Sequence, residues 1–115
     1  MKVILKKDLK SAKFNVVFKK GIALNYNEGL KSVEHPTESN IWLRVTSKQF
    51  EEVKNYVITG DNNFWYSTTG YVTKKQLKTE IEVIKIGIKN NEYGNNDEPN
   101  ELHIFETGWT DTINL

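Results

Sequence analysis

The sequence predicts an α+β fold: a small, mostly antiparallel sheet of about five or six strands packed with one or two short helices. Three observations predict it. Short stretches of period-two alternation recur along the chain, clusters of Gly, Asn, Ser and Pro separate them, and one stretch joins a helix-start signal to apolar residues at helical spacing. The chain has 115 residues, 37% of them hydrophobic, which is enough for one modest core and reads as a single domain, 1–115. Three Trp, five Tyr and five Phe argue against disorder over most of it.

The elements follow in order. Residues 2–6 (KVILK) and 13–19 (KFNVVFK) read as strands, the second with Phe14, Val16 and Phe18 on one face. Gly21 breaks the run, and residues 22–24 resume it. Residues 25–40, rich in Asn and Ser and containing Gly29 and Pro36, read as a long mobile loop. Residues 41–45 (IWLRV) form a strand with Trp42 and Arg44 on one face. A helix is expected over 47–57, because Thr46 and Gln49 spell a capping box and Phe50, Val53 and Val57 share a helical face. After a turn at Gly60-Asp61-Asn62-Asn63, residues 64–67 (FWYS) read as an aromatic strand. Residues 72–89 carry two signals. Thr73 and Gln76 spell a second capping box, and Leu77, Ile81, Ile84 and Ile88 keep helical spacing. Yet Ile81, Val83, Ile84, Ile86 and Ile88 form a dense β-branched run, and Ile84, Ile86 and Ile88 alternate. The expectation is a helical turn at 74–78 and a strand over 80–89. Residues 90–100 read as a polar mobile loop, 101–106 (ELHIFE) as a strand, and 109–115 as a last strand.

Composition narrows the function. No cysteine is present, which removes disulfide scaffolds, thiolate zinc sites and Cys nucleophiles. No apolar run approaches the length of a membrane span, and the Lys-flanked apolar start is too short for a signal peptide, so a cytoplasmic protein without a membrane partner is expected. Arg44 is the single Arg among 16 basic residues, which disfavours a sequence-specific DNA reader. All 16 bases precede residue 91, while Glu92, Asp97, Glu98, Glu101, Glu106 and Asp111 leave the C-terminal stretch purely acidic. That polarity suggests either an acidic tail docked on a basic body or a charged binding face.

Candidate chemistry is sparse. His35 sits beside Glu34 and Pro36 in the loop. His103 shares a strand face with Glu101, a pair able to bind a metal or exchange a proton, but no third ligand stands at a meaningful spacing. Asp61-Asn62-Asn63 lacks the oxygen ligands of a calcium loop and reads as a tight turn. Gly87, isolated in an apolar run, marks a bulge or a close backbone contact. No catalytic, cofactor or metal site is expected. The exposed members of the aromatic set Trp42, Trp65 and Tyr71, with Arg44 and the six C-terminal acids, are the candidate partner-binding residues.

The Lys-, Asn- and Ile-rich composition resembles that of small accessory proteins of phages and mobile elements from low-GC bacteria. The resemblance implies a protein-binding accessory or inhibitor protein. Its expected target is a host nucleic-acid-handling or defence protein, as for an anti-CRISPR-type inhibitor of a nuclease. A Lys/aromatic nucleic-acid-binding module is the alternative, and a small metal-dependent or acid–base enzyme around His103 is a second.

Overall fold

The structure is a computed structural model that describes residues 1–62, 64–93, 98–106 and 109–115, without the side chains of residues 65, 67, 109 and 110. The described residues form ten strands and one helix: β1 (Lys2–Leu5), β2 (Leu9–Ser11), β3 (Val16–Phe18), β4 (Leu24–Asn27), β5 (Ser32–Glu34), β6 (Trp42–Arg44), β7 (Phe50–Gly60), β8 (Trp65–Val72), α1 (Lys74–Lys89), β9 (Glu101–Glu106) and β10 (Trp109–Asn114). The class is α+β and every strand pairing is antiparallel, with more strands than the sequence led us to expect. The chain divides into two compact units, Met1–Val53 and Lys54–Leu115, and the boundary falls within β7.

In the first unit β6, β5, β4 and β1 pair in that order, and Phe50–Val53 of β7 pairs with β1. β2 and β3 form a separate hairpin. Alternation sends Val3, Leu5, Phe18, Leu24 and Val33 into one core with Val45. The stretch expected as a loop over 25–40 therefore holds most of β4 and all of β5. Asn and Ser made it look irregular, but Val33 is fully buried and Tyr26 packs beside the core.

In the second unit β8, Lys54–Gly60 of β7, β9 and β10 lie side by side, so that two hairpins flank α1. Register defines the faces. Ile58 pairs with Ile104 and Ile104 with Asp111, while Gly60 pairs with Leu102 and Leu102 with Ile113. These residues, with Tyr56 and Glu106, share the face that α1 covers in part. The opposite face carries Val57, Glu101, His103, Phe105 and Thr112. β8 contributes two register irregularities, one of them beside Gly70, whose φ of 70° suits glycine.

Two expectations exchange places. The helix expected over 47–57 is instead a turn followed by β7. The side-chain amide oxygen of Gln49 does accept from the Thr46 N–H at 2.8 Å, but the Gln49 N–H returns to the Thr46 carbonyl, closing a turn rather than opening a helix. Val53, Val57, Ile58 and Thr59 are β-branched, and β7 finds partners in β1, β8 and β9. Of the three residues expected on one helical face, Phe50 packs beside the core of the first unit, Val53 pairs with Lys2 of β1, and Val57 pairs with Thr68 of β8 and Phe105 of β9.

The strand expected over 80–89 is the body of α1. Here both arms of the capping box form: the Thr73 N–H donates to Gln76 Oε1 at 2.8 Å and the Gln76 N–H donates to Thr73 Oγ1 at 3.2 Å. Leu77, Ile81, Ile84 and Ile88 then fall on one stripe against Tyr56, Ile58, Phe64, Leu102 and Ile104. Burying such a stripe, at about 1.5–3 kcal/mol per side chain, outweighs a β-branched penalty of at most about 0.7 kcal/mol per residue. The helix ends at Asn90, followed by Asn91 in the left-handed region with φ 54°. Gly87 marks a close contact, not a bulge: a Cβ there would stand 2.6 Å from the ring of Tyr93.

α1 is also tied to β8 by the hydroxyl of Tyr66, which donates to the Glu80 carboxylate. That hydrogen bond, burial and the charges of Glu80 and Tyr93 push the Tyr66 phenol up to about 12. A raised phenol stabilises the fold fully below its ordinary value of 10.0 and loses that contribution as pH rises through about 12. Absorbance titration should therefore find a tyrosine ionising near 12, and in Glu80→Gln its transition should move down toward 10. A helix also makes unequal demands on isoleucines that a strand would treat alike. Ile84→Ala should cost about 2–5 kcal/mol in a denaturant melt. Ile86→Ala, on the exposed side, should cost less than about 1 kcal/mol. Equal losses at the two positions would contradict the helix.

Candidate functional site

An open groove of about 660 Å³ lies in the second unit, on the face of the sheet that α1 covers only in part. Tyr56, Ile104 and Ile113 come from the sheet and Leu77 and Ile81 from α1, so the floor is apolar. Its polar groups are Lys54, Glu106 and Asp111 from the sheet and Lys74 and Lys78 from the helix. Each position follows from local structure. Lys74 and Lys78 are one helical turn apart, with Leu77 between them on the buried stripe. Asp111 and Ile113 alternate on β10 and face inward because their partners on β9 are Ile104 and Leu102.

The charges of the groove differ in how they are answered. Lys54 Nζ stands 3.3 Å from a Glu106 oxygen, a partly exposed pair that screens itself. Among the described residues Lys74, Lys78 and Asp111 have no ion-pair partner; Asp111 accepts only from the N–H of Thr112, at 2.9 Å. Lys74, Lys75 and Lys78 also stand in the first turns of α1, where the helix dipole disfavours cations, and no acid accompanies them in the first turn. The groove thus holds an apolar floor between charges of both signs that no described residue pairs.

The candidate residues read from the sequence are distributed over several places. Glu106 and Asp111 line the groove. Glu101 is on the opposite face of the sheet, within 2.8 Å of His103 Nε2. Glu92 is exposed just past the end of α1, and Glu98 is exposed beside Pro99, its carbonyl accepting from the Asn62 amide at 2.8 Å. Asp97 lies outside the described residues. The described C-terminal acids therefore form no single acidic face. Tyr71 is exposed on β8 opposite Asn55, and Trp65 occupies the β8 position opposite Thr59. Trp42, half-buried, and Arg44, exposed, belong to β6 of the first unit. Lys54, Tyr56, Lys74, Lys78, Ile81 and Ile113 were not singled out. Lys54 and Tyr56 lie in the stretch expected as a helix and Ile81 in the stretch expected as a strand, while the helical turn expected at 74–78 held Lys74 and Lys78 without the packed stripe that sets them beside the sheet, so no signal placed them together.

The two histidines serve different surroundings. His35 Nδ1 accepts from the N–H groups of Thr37 and Glu38 at 3.3 and 3.1 Å, so its proton resides on Nε2, which donates to the Val17 carbonyl at 3.0 Å. Its ring meets Phe18 edge-on at 4.9 Å. His103 and Glu101 do form the pair anticipated from their spacing, but on the sheet face away from the groove, beside exposed Phe105. No three metal-binding side chains cluster among the described residues. No helix among them is long and apolar enough to cross a membrane. Compared with known protein families, curated proteins and solved structures, the chain matches none.

The Asp61 turn spends its polar groups on the chain itself. The carboxylate accepts from the backbone N–H groups of Asn100 at 2.6 Å and Glu101 at 3.1 Å, and from the Asn100 amide at 3.3 Å. Burial pushes the Asp61 carboxyl up, but these donors, with its own N–H, together hold it below its ordinary 3.8. A lowered carboxyl stabilises above its unfolded value and loses that contribution as pH falls through the lower folded value. The melting temperature of the native chain should therefore fall as the pH drops through and below 3.8, and Asp61→Asn should show a smaller fall over the same interval.

Proposed function

We propose that the chain is a small protein-binding module, an accessory or inhibitor protein that acts by occupying its partner, and that the groove of the second unit is its interface. The observation that carries this reading is the groove itself: an apolar floor of Tyr56, Leu77, Ile81, Ile104 and Ile113 left open between Lys74, Lys78 and Asp111, none of which has an ion-pair partner among the described residues. An apolar centre bounded by charges is the usual make-up of a protein interface. Within the proposal, the Lys-, Asn- and Ile-rich composition points to a phage or mobile element of a low-GC bacterium, and to a cytoplasmic host protein that handles nucleic acid as the target.

The nucleic-acid alternative has less support, because Glu106 and Asp111 share the groove with its lysines and Arg44 belongs to the other unit. The enzyme alternative around His103 has less support, since the His103–Glu101 pair stands on the face of the sheet away from the groove.

A photo-crosslinking amino acid placed at Ile113, in the groove, and separately at Ile86, on the exposed side of α1, tests the interface in a bacterial host lysate. The expected outcome is a single protein adduct from position 113 that is absent from position 86. Identical adducts from both positions, or nucleic acid as the captured species, would falsify the reading.

A further inference from the structure

We propose that the occupant of the groove is an extended, net acidic peptide segment that adds as a strand to the free edge of β10 and turns alternate side chains toward α1. The inference rests on the reading of this groove as a protein interface and names the kind of segment that fills it.

Three features point to strand addition. β10 pairs with β9 along its whole length, from Trp109↔Glu106 to Asn114↔Glu101, and among the described residues nothing pairs with its other edge. That edge offers a row of backbone donors and acceptors. β10 is also lightly defended as an edge: it holds no Pro or Lys, its pairing with β9 is unbroken by a bulge, and Asp111 is its one charged residue. The groove runs between this strand and the wall of α1, so a strand added to β10 lies at its open side. Its side chains alternate, and one set in two is directed toward the helix. Backbone pairing then supplies affinity, and the groove selects among side chains.

The chemistry of the alternate side chains follows from what the groove leaves unanswered. Ile113 is half-buried and Ile81 and Leu77 border the same space, so one inward residue of the segment is apolar. Once Lys54 and Glu106 have answered each other, the charges left among the described residues lining the groove are Lys74 and Lys78 against Asp111. Charge complementarity therefore asks for acidic residues facing the helix wall. Asp111 is an inward-pointing charge on an edge strand, a device that discourages indiscriminate pairing, and it makes a second apolar residue at its level unfavourable.

The test is selection of random peptides about ten residues long by mRNA display against the full chain, with the best peptide resynthesised in two altered forms. One replaces its acids with Lys; the other is N-methylated at alternate backbone positions and keeps every side chain. The expected peptides alternate apolar and acidic residues, and each altered form binds at least about tenfold more weakly. The variant carrying Lys74→Glu and Lys78→Glu should show a similar loss while melting no lower than the native chain. The inference is overturned if no peptide emerges, if the basic form binds equally, or if N-methylation leaves affinity intact. If those results appear while the crosslinker at 113 still captures a protein, the interface stands and strand addition alone falls.

Discussion

The second unit depends on one act of packing: the stripe Leu77, Ile81, Ile84 and Ile88 laid on a sheet of four strands. That packing also creates the groove. A helix with its side chains is about 10–12 Å across. Four strands about 4.8 Å apart span roughly 14 Å between their outer axes before side chains are counted. One helix therefore covers two or three strands and leaves the remainder. Here Ile84 is fully buried, whereas Ile113 on β10 is only half-buried. The open strip is thus a consequence of pairing α1, the one helix among the described residues, with two hairpins, and its exposed apolar floor is what that helix leaves uncovered.

Much of this arrangement is legible in the sequence, and what is not has a specific cause. Strands β1, β9 and β10, the aromatic strand β8 and the end of β3 stand close to where alternation puts them. The exchange at 47–57 and 80–89 came from two near-identical signals. Val45-Thr46-Ser47-Lys48-Gln49-Phe50 and Val72-Thr73-Lys74-Lys75-Gln76-Leu77 both spell a capping box after a strand. Only the second makes both hydrogen bonds. The difference lies downstream. After Leu77 the apolar residues fall at intervals of four, three and four and bury one continuous stripe. After Phe50 they sit among β-branched neighbours with three strands ready to pair. A local start signal is worth about 1 kcal/mol, and the burial that follows it is worth several times more.

The same error hid the candidate site. Glu106 and Asp111 were visible as acids of a C-terminal stretch, yet an acidic count says nothing about faces. Register separates them from Glu101, which alternation turns to the other side of β9. Lys74 and Lys78 become one wall only because α1 continues past residue 78. A strand over 80–89 would have scattered the isoleucines over two faces and left those lysines in a short turn.

The lysines finally bear on why the groove is more than an accident of helix width. Cations in the first turns of a helix oppose its dipole, a cost of about 0.3–1 kcal/mol each. Acids there would stabilise α1 and would also answer the charge at the mouth of the groove internally. The chain does the opposite: it caps the helix with the neutral pair Thr73 and Gln76 and places Lys74, Lys75 and Lys78 behind it, with no acid in the first turn. Glu80 and Glu82 come later, committed to Tyr66 and Lys85. Stability forgone at one helix end, next to an apolar floor left uncovered and a strand edge that no described residue pairs, is coherent if all three are answered by one occupant. A single acidic strand does so: its backbone meets β10, its apolar side chain covers Ile113, and its carboxylates neutralise Lys74 and Lys78. A solvated helix end accounts for the lysines and the width of one helix accounts for the open floor, but separately; one acidic strand answers both together with the edge of β10.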